Sequence, residues 1–165
     1  MQYICSNSCV NLDPIQDVPE CPVPQFDPLL LDNQICRSLY SASNALTRAY
    51  RPLLQPLGLT YPQYLVMLAL WEQDRVSVGE LCARTRLDPG TLTPLLKRMA
   101  GKGLLIRARA RDDERRRVIA LTRAGLELKA RAADVPEQIA CVAGLSLEEG
   151  LRLRELTEKL YRQLG

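Results

Sequence analysis

Two short segments with helical periodicity, separated by a tight turn, restrict the possible folds of this chain more than any other feature. The first, SVGELCART, begins at Ser77, a residue type that caps helices, and the turn runs from Arg86 to Pro89. The second, GTLTPLLKRMAGKGL, has apolar residues spaced for one buried face: Leu92, Leu95, Leu96 and Met99. Two short helices joined in this way predict a helix-turn-helix.

The outer face of the second helix differs from that of an ordinary surface helix, which would carry mainly Glu and Lys. Its predicted contact residues are small, polar or basic: Gly90, Thr91, Thr93, Pro94, Lys97 and Arg98. Short side chains let the backbone approach a groove wall, and Thr93 and Lys97 can reach bases or phosphates. Because Pro94 has no N–H to donate, we predict that the regular helix begins at Thr91, with Pro94 in its first turn. The face predicts contact with DNA, and a solvated surface helix is the alternative.

A β-hairpin is predicted directly after this helix. Residues 104–109 and 117–121 have the patterns of strands, and the turn between them is almost entirely Arg, Asp and Glu. Within the turn, Arg115 is flanked by Asp113 and Glu114, and a carboxylate can orient a neighbouring Arg fork for a narrow minor groove. Asp113, Arg115 and Arg116 are the predicted DNA contacts of the turn. Arg107, on the first strand, is a further predicted DNA contact. A solvated cluster of ion pairs is the alternative for this turn.

The charge of the chain is concentrated around the same elements. The net charge is only +3, and residues 1–30 contain four acidic residues and no basic one. Residues 84–123 contain 12 basic and four acidic residues, a net charge of +8. A basic field of this size on one part of the chain indicates a polyanion partner, and we predict double-stranded DNA.

Two helices are predicted before the motif. The longer runs from about Gln34 to Leu54 and can be capped by Asp32 or Asn33. Its apolar residues are spaced for one buried face: Ile35, Leu39, Ala42 and Leu46. The second helix, capped by Thr60, is predicted to end near Asp74 and to bury three residues: Leu65, Leu68 and Ala69.

Two more helices are predicted after the hairpin. Thr122 can cap a helix that continues to about Cys141 with a kink at Pro136, and Ser146 begins the last helix, which ends at Leu164. The fold class is therefore mainly α with a small β-hairpin wing, a winged helix-turn-helix with the DNA-binding part at residues 76–122. Residues 1–29 are rich in proline and lack periodicity, which predicts an extended or disordered leader before a single domain at residues 30–165.

The composition excludes several kinds of site. The chain has no histidine, which removes Ser-His-Asp and Cys-His nucleophile pairs and every His-ligated metal site. Cys5, Cys9 and Cys21 have no recognised metal spacing, so we predict neither a metal nor a cofactor. The longest apolar run, residues 65–70, is too short to span a bilayer, and no basic residue precedes Arg37. We therefore expect a cytoplasmic protein without a membrane partner, in which six cysteines are thiols or redox switches.

Four segments carry a resemblance to a known family: LDNQIC, LTYPQYLVMLALWE, LDPGTLTPLLKRM and the DDER of the predicted wing tip. From about Leu31 to Leu164 the chain resembles MarR-type regulators, and within them the two-cysteine branch of the organic hydroperoxide resistance regulators. The resemblance implies a homodimer held by helices at residues 31–58 and 123–164. It also implies a reactive Cys36, supporting Tyr50 and Tyr61, and a resolving Cys141 that forms an intersubunit disulfide, so that organic hydroperoxide releases operator DNA.

The sequence itself, without the family resemblance, supports only part of this proposed cysteine mechanism. Cys36 lies in the first turn of its predicted helix, where free N–H groups favour a thiolate. Tyr50 is 14 residues further along the same helix, about 21 Å at about 1.5 Å per residue, so it can touch Cys36 only from another subunit. Without the resemblance, Tyr50 and Tyr61 would be assigned to aromatic packing, and Cys141 and Cys82 to the core.

Two other functions are compatible with the pattern. A MarR-type regulator could be released by a small phenolic ligand, with Cys36 inert. A thiol peroxidase is a second possibility, although the missing histidine and the DNA-binding pattern count against any enzyme.

Overall fold

The computed structural model describes residues 27–109 and 117–164, and the chain divides between Ser38 and Leu39 into two units. The predicted leader up to residue 26 and the wing-tip residues Asp113, Arg115 and Arg116 lie outside the described residues. The elements are α1 Ile35–Leu54, α2 Tyr61–Glu72, α3 Val78–Thr85, α4 Pro89–Gly101, β1 Leu105–Arg109, β2 Arg117–Leu121, α5 Arg123–Arg131, α6 Val135–Ala143 and α7 Leu147–Leu164. This order confirms the predicted fold class. Among the described residues, no helix combines the length and apolar character that crossing a membrane requires.

The start of α1 differs from the prediction. A 3-10 turn, Leu31–Asn33, precedes the helix, so that Gln34 takes the position next to its first residue. Asp32 forms an ion pair with Arg37, and the Asn33 side chain donates a hydrogen bond to the Asp27 carbonyl at 2.7 Å. Asp32 and Asn33 therefore do not cap α1, because the turn moves both of them ahead of the capping position.

Helix α2 is buried on most of its circumference, which the sequence pattern did not resolve. Ala69 is buried as predicted, but Leu68 is 40% exposed and Leu65 is only half-buried. The residues that fill the core instead are Tyr64, Val66, Met67 and Leu70. The continuous apolar run offers no polar side, so spacing alone cannot identify the side that faces solvent.

The helix-turn-helix forms where it was predicted. Ser77 and Glu80 make a reciprocal capping box at the start of α3, with bonds of 3.1 and 2.7 Å. Asp88 caps α4 by accepting from the Thr91 N–H at 2.8 Å. The helix therefore begins at Pro89, two residues before the predicted Thr91, because proline is well suited to the first helical position. Pro94 consequently lies inside the helix rather than in its first turn.

The hairpin packs against the helix-turn-helix at its base. Strands β1 and β2 are antiparallel, with Leu105 opposite Leu121 and Ala108 opposite Val118. The Ile119 N–H donates to the Val76 carbonyl at 2.8 Å, which extends the sheet towards the start of α3. A backbone hydrogen bond thus connects the wing base to the segment that leads into α3.

The region after the hairpin contains two helices instead of one kinked helix. Thr122 caps α5 as predicted, accepting from the Gly125 N–H at 3.1 Å, but α5 ends at Arg131. Pro136 is the second residue of α6, a position where its missing N–H costs no helical hydrogen bond. The proline therefore begins a new helix and does not kink an existing one.

The predicted buried face of α1 is open in the single chain. Ile35 is 68% exposed and Leu46 is 42% exposed, while Leu39 is only half-buried. The predicted burial of this face is therefore wrong for the described residues, among which no element covers it completely. Helix α7 also carries exposed leucines along its length: Leu147, Leu151, Leu153, Leu156 and Leu164.

Candidate nucleic-acid interface and cysteine sites

The outer face of α4 is exposed along its whole length. The buried side holds Leu92, Leu95, Leu96 and Met99, as predicted. The six predicted contact residues are all exposed: Gly90, Thr91, Thr93, Pro94, Lys97 and Arg98. Pro94 leaves the Gly90 carbonyl without its helical donor, and the exposure of both residues lets water or another donor reach that oxygen.

The first turn of this face is held rigidly by Asp88. Its carboxylate accepts from the Thr91 N–H at 2.8 Å and from the Thr91 hydroxyl at 2.6 Å, and these bonds lower the pKa of the Asp88 carboxyl. A Cβ at Gly90 would lie 3.1 Å from the same carboxylate, so glycine leaves room for the cap. The Thr91 hydroxyl is therefore engaged in fixing the helix start.

The structure brings residues of the helix and the hairpin around one cavity of about 470 Å³. Thr93 and Lys97 of α4 and Arg107 of β1 line it, over an apolar floor formed by Leu96, Ala100, Leu105 and Ile119. Arg107 is exposed. A threonine and two cations thus share one surface, an arrangement suited to phosphate and base edges.

Three tyrosine rings cluster between α1 and α2. The Tyr50 ring centroid lies 4.8 Å from that of Tyr61 and 5.8 Å from that of Tyr64. Burial and the neighbouring phenols raise the pKa of Tyr50 to about 12, and burial also raises the pKa of Tyr61 and Tyr64. The three phenols therefore stay protonated at neutral pH and keep an O–H to donate. Tyr64 was missed by the sequence analysis, although its spacing of three residues from Tyr61 is the helical signal for a shared face.

The described cysteines are free thiols in three environments. Cys36, in the first turn of α1, and Cys141, near the end of α6, are exposed. Cys82 is half-buried on α3 and packs against the core, as predicted. The exposure of Cys141 differs from the core position that the sequence alone favours. Among the described residues, no group of Cys, Asp and Glu is arranged to hold a metal ion.

An apolar groove of about 750 Å³ lies between α1, α6 and α7. Its lining includes Leu39 and Leu46 of α1, Ile139 of α6 and Leu153 of α7. Four other leucines of α7 are also exposed: Leu147, Leu151, Leu156 and Leu164. Exposed apolar surface of this kind marks interaction sites in globular proteins.

Comparison with known proteins places these features in context. The family model for the transcriptional regulator SarA/Rot matches residues 48–132. The organic hydroperoxide resistance transcriptional regulator of Bacillus subtilis (strain 168) is 44% identical over 140 residues, 85% of this chain and 93% of that protein.

Two solved structures concern AbfR, a protein of Staphylococcus epidermidis. Reduced AbfR bound to DNA has a TM-score of 0.64 and 34% identity, covering 81% of this chain and 95% of that one. Disulfide-formed AbfR has a TM-score of 0.57 and 30% identity, covering 79% and 92% of the two chains.

Proposed function

The chain belongs to the MarR/SarA-type winged-helix transcriptional regulators, and on that premise we propose that it is a repressor released from DNA by organic hydroperoxides. It is a DNA-binding transcriptional regulator and not an enzyme. The observation that carries the finer proposal is the pair of exposed free thiols, Cys36 and Cys141, on helices of the region that bears the open apolar faces.

The proposed DNA complex uses α4 as the recognition helix in the major groove. Its exposed face presents Thr93, Lys97 and Arg98, and Arg107 lies beside it at the base of the wing. Asp113, Arg115 and Arg116 of the wing tip remain proposed contacts in the flanking minor groove. Two such heads in a homodimer would bind a pseudo-palindromic operator, with the two recognition helices in successive major grooves.

Replacing Lys97 by alanine should weaken DNA binding and make it less dependent on salt. Each lost phosphate contact lowers the slope of log affinity against log salt concentration by about 0.9, so a dimer should lose about 1.8. Anisotropy titrations at several salt concentrations measure this slope. Arg152→Ala, which removes an exposed cation paired with Glu155 on α7, is the matched control and should leave the slope unchanged. An unaltered slope for Lys97→Ala would remove Lys97 from the interface.

We assign the apolar groove to a second copy of the chain. The groove is lined mainly by apolar residues of α1, α6 and α7, and further leucines of α7 are exposed, which is the kind of surface that a partner covers. An isologous dimer covers such a face with the same face of its partner. This arrangement also allows the tyrosine cluster of one subunit to approach Cys36 of the other, as the resemblance to organic hydroperoxide regulators implies.

The proposed chemistry is an oxidation of two thiols in two steps. The Cys36 thiolate attacks the terminal peroxide oxygen, the O–O bond breaks, and the alcohol leaves after taking up a proton, so that Cys36 becomes a sulfenic acid. The thiol of the partner's Cys141 then attacks the sulfenic sulfur, forming a disulfide and releasing water. The phenols of Tyr50 and Tyr61 are protonated at neutral pH, and burial raises the pKa of both further, so each has an O–H that can donate a hydrogen bond to the reacting thiolate.

Peroxide should therefore convert the protein into a covalent dimer on a non-reducing gel, and thiol should reverse this. The disulfide needs Cα atoms within about 7 Å of each other, so any greater separation in the reduced dimer requires a movement of helices. The experiment uses a chain in which Cys5, Cys9 and Cys21 are serine, since these cysteines could form bonds of their own. Cys82→Ser in this background is the matched control and should still cross-link. A dimer band that persists with Cys141→Ser would remove Cys141 from the mechanism.

The decisive test titrates DNA release with cumene hydroperoxide, with hydrogen peroxide and with salicylate. Release by the organic hydroperoxide at stoichiometric concentration supports the proposal. Release by salicylate alone would favour the phenolic-ligand regulator, and repeated turnover of peroxide with a thiol reductant would favour the thiol peroxidase.

A further inference from the structure

The turn between α3 and α4 contacts α7 through the side chain of Arg86. Arg86, the residue that follows α3, donates from Nη1 to Oε1 of Glu158 at 2.9 Å and from Nη2 to Oε2 at 2.6 Å. Its Cζ atom also lies 3.8 Å from the ring centroid of Tyr161. We call these three residues the Arg86 clamp. The parallel bonds and the stacked ring fix both the position and the plane of the guanidinium.

The backbone conformation at Arg86 indicates that an arginine is present at this position because of the contacts that its side chain makes. Its φ of 57° lies in the left-handed region, where glycine or asparagine is the usual choice at the end of a helix. Arginine there has a conformational cost that glycine would avoid. A contact that requires this long side chain accounts for its presence.

Hydrogen bonds connect the turn that contains Arg86 to the start of α4. Asp88 is only two residues further on and caps α4 through Thr91. On the other side of Arg86, the Thr85 hydroxyl donates to the Leu81 carbonyl at 2.6 Å and accepts from the Leu87 N–H. Because the turn is tied to both helices, we expect the position of Arg86 to influence the N-terminal end of α4.

Helix α7 carries exposed leucines along its length, and Glu158 and Tyr161 lie one helical turn apart on the same helix. Other side-chain hydrogen bonds of α7 within the described residues stay inside the helix or join it to the adjacent Ser146, as do Arg152 to Glu155 and the Ser146 N–H to Glu149. The Arg86 clamp therefore links the helix of the apolar surface directly to the DNA-binding motif.

We propose that Arg86, held by Glu158 and Tyr161, is a positioning residue through which α7 sets the orientation of the recognition helix. The inference rests on the proposed function in that α4 is taken to contact DNA. The clamp contributes little to folding, because Arg86 and Glu158 are 41% and 40% exposed and solvent screens them. Its effect should be on the geometry of DNA binding and not on the stability of the fold.

The sign of the Glu158→Gln effect separates positioning from simple electrostatics. Removing a negative charge should strengthen the binding of a protein to DNA if charge alone matters. If the clamp positions α4, Glu158→Gln should instead weaken binding, by about fivefold, and Arg86→Ala should do the same without an additive effect in the double variant. The exchanged pair, Arg86→Glu with Glu158→Arg, should restore much of the affinity, whereas a direct phosphate contact by Arg86 would make it the weakest binder.

The experiment uses the full chain and the strongest-binding duplex that the reduced wild type selects from a random-sequence pool. Binding is measured by anisotropy, thermal unfolding confirms an unchanged midpoint, and Arg152→Ala is the matched control on α7. Amide hydrogen exchange at residues 86–92, measured without DNA, should be about fivefold faster in Arg86→Ala and Glu158→Gln, because the turn opens locally.

Weaker binding by both single variants with rescue by the exchanged pair supports the Arg86 clamp. Equal or tighter binding of Glu158→Gln, together with wild-type exchange rates, overturns it. A wild type that selects no duplex would count against the proposed DNA complex, and the exchange rates would then decide the clamp by themselves.

Discussion

Replacing Cys36 by serine should leave operator binding unchanged and abolish release by organic hydroperoxide. Serine keeps the size and exposure of the side chain in the first turn of α1, so the fold and α4 should be unaffected. Allosteric couplings commonly change affinity by about 5- to 150-fold, and we expect wild-type release within this range. In Cys36→Ser the ratio of affinities before and after peroxide should fall to about one, because a hydroxyl does not form a sulfenic acid.

The matched control for this prediction is Cys82→Ser. It removes a thiol from the described core while leaving both exposed cysteines in place, so its affinity ratio should remain that of the wild type. Mass spectrometry of the peroxide-treated protein should locate the first added oxygen on Cys36. Undiminished release of Cys36→Ser by peroxide would show that another group senses the oxidant.

The second large effect is expected from Leu153→Glu. Leu153 is 50% exposed in the single chain and lines the apolar groove, which we assign to a second copy. A glutamate there would have to be buried without a partner in the dimer, which costs several kcal/mol. The variant should therefore be monomeric in sedimentation analysis at concentrations where the wild type is dimeric.

Loss of the dimer should reduce DNA affinity much more than loss of a single contact. Two linked heads bind about 10²- to 10⁴-fold more tightly than one, because the second head binds at a high effective concentration. We expect Leu153→Glu to lose affinity by at least about 10²-fold for a two-half-site duplex while retaining its helical circular dichroism. Leu126→Glu is the matched control, since Leu126 is 53% exposed on α5 and lies outside the groove lining. A dimeric Leu153→Glu that binds normally would contradict the assignment of the groove.

The parts of this protein that follow from the sequence are those governed by short-range interactions. The capping residues Ser77 and Thr122, the buried side of α4 and the two strands were all predicted at or near their observed positions. Each depends on residues within one or two helical turns, or on alternation along a strand, so the pattern alone contains the information. The exposed face of α4, which we propose as the DNA contact, follows from the same periodicity.

Tertiary structure decided the features that depend on distant partners. The exposure of Leu68 results from the elements that surround α2, since the helix is apolar on nearly every side. Arg86 and Glu158 are 72 positions apart, and no local pattern connects them. The tyrosine cluster likewise joins Tyr50 of α1 to α2, and the sequence anticipated Tyr61 only through a family resemblance. Periodicity states which side of a helix should be buried, but the partner that buries it is set by the packing of the whole chain, and for α1 and α7 the described chain leaves that side open.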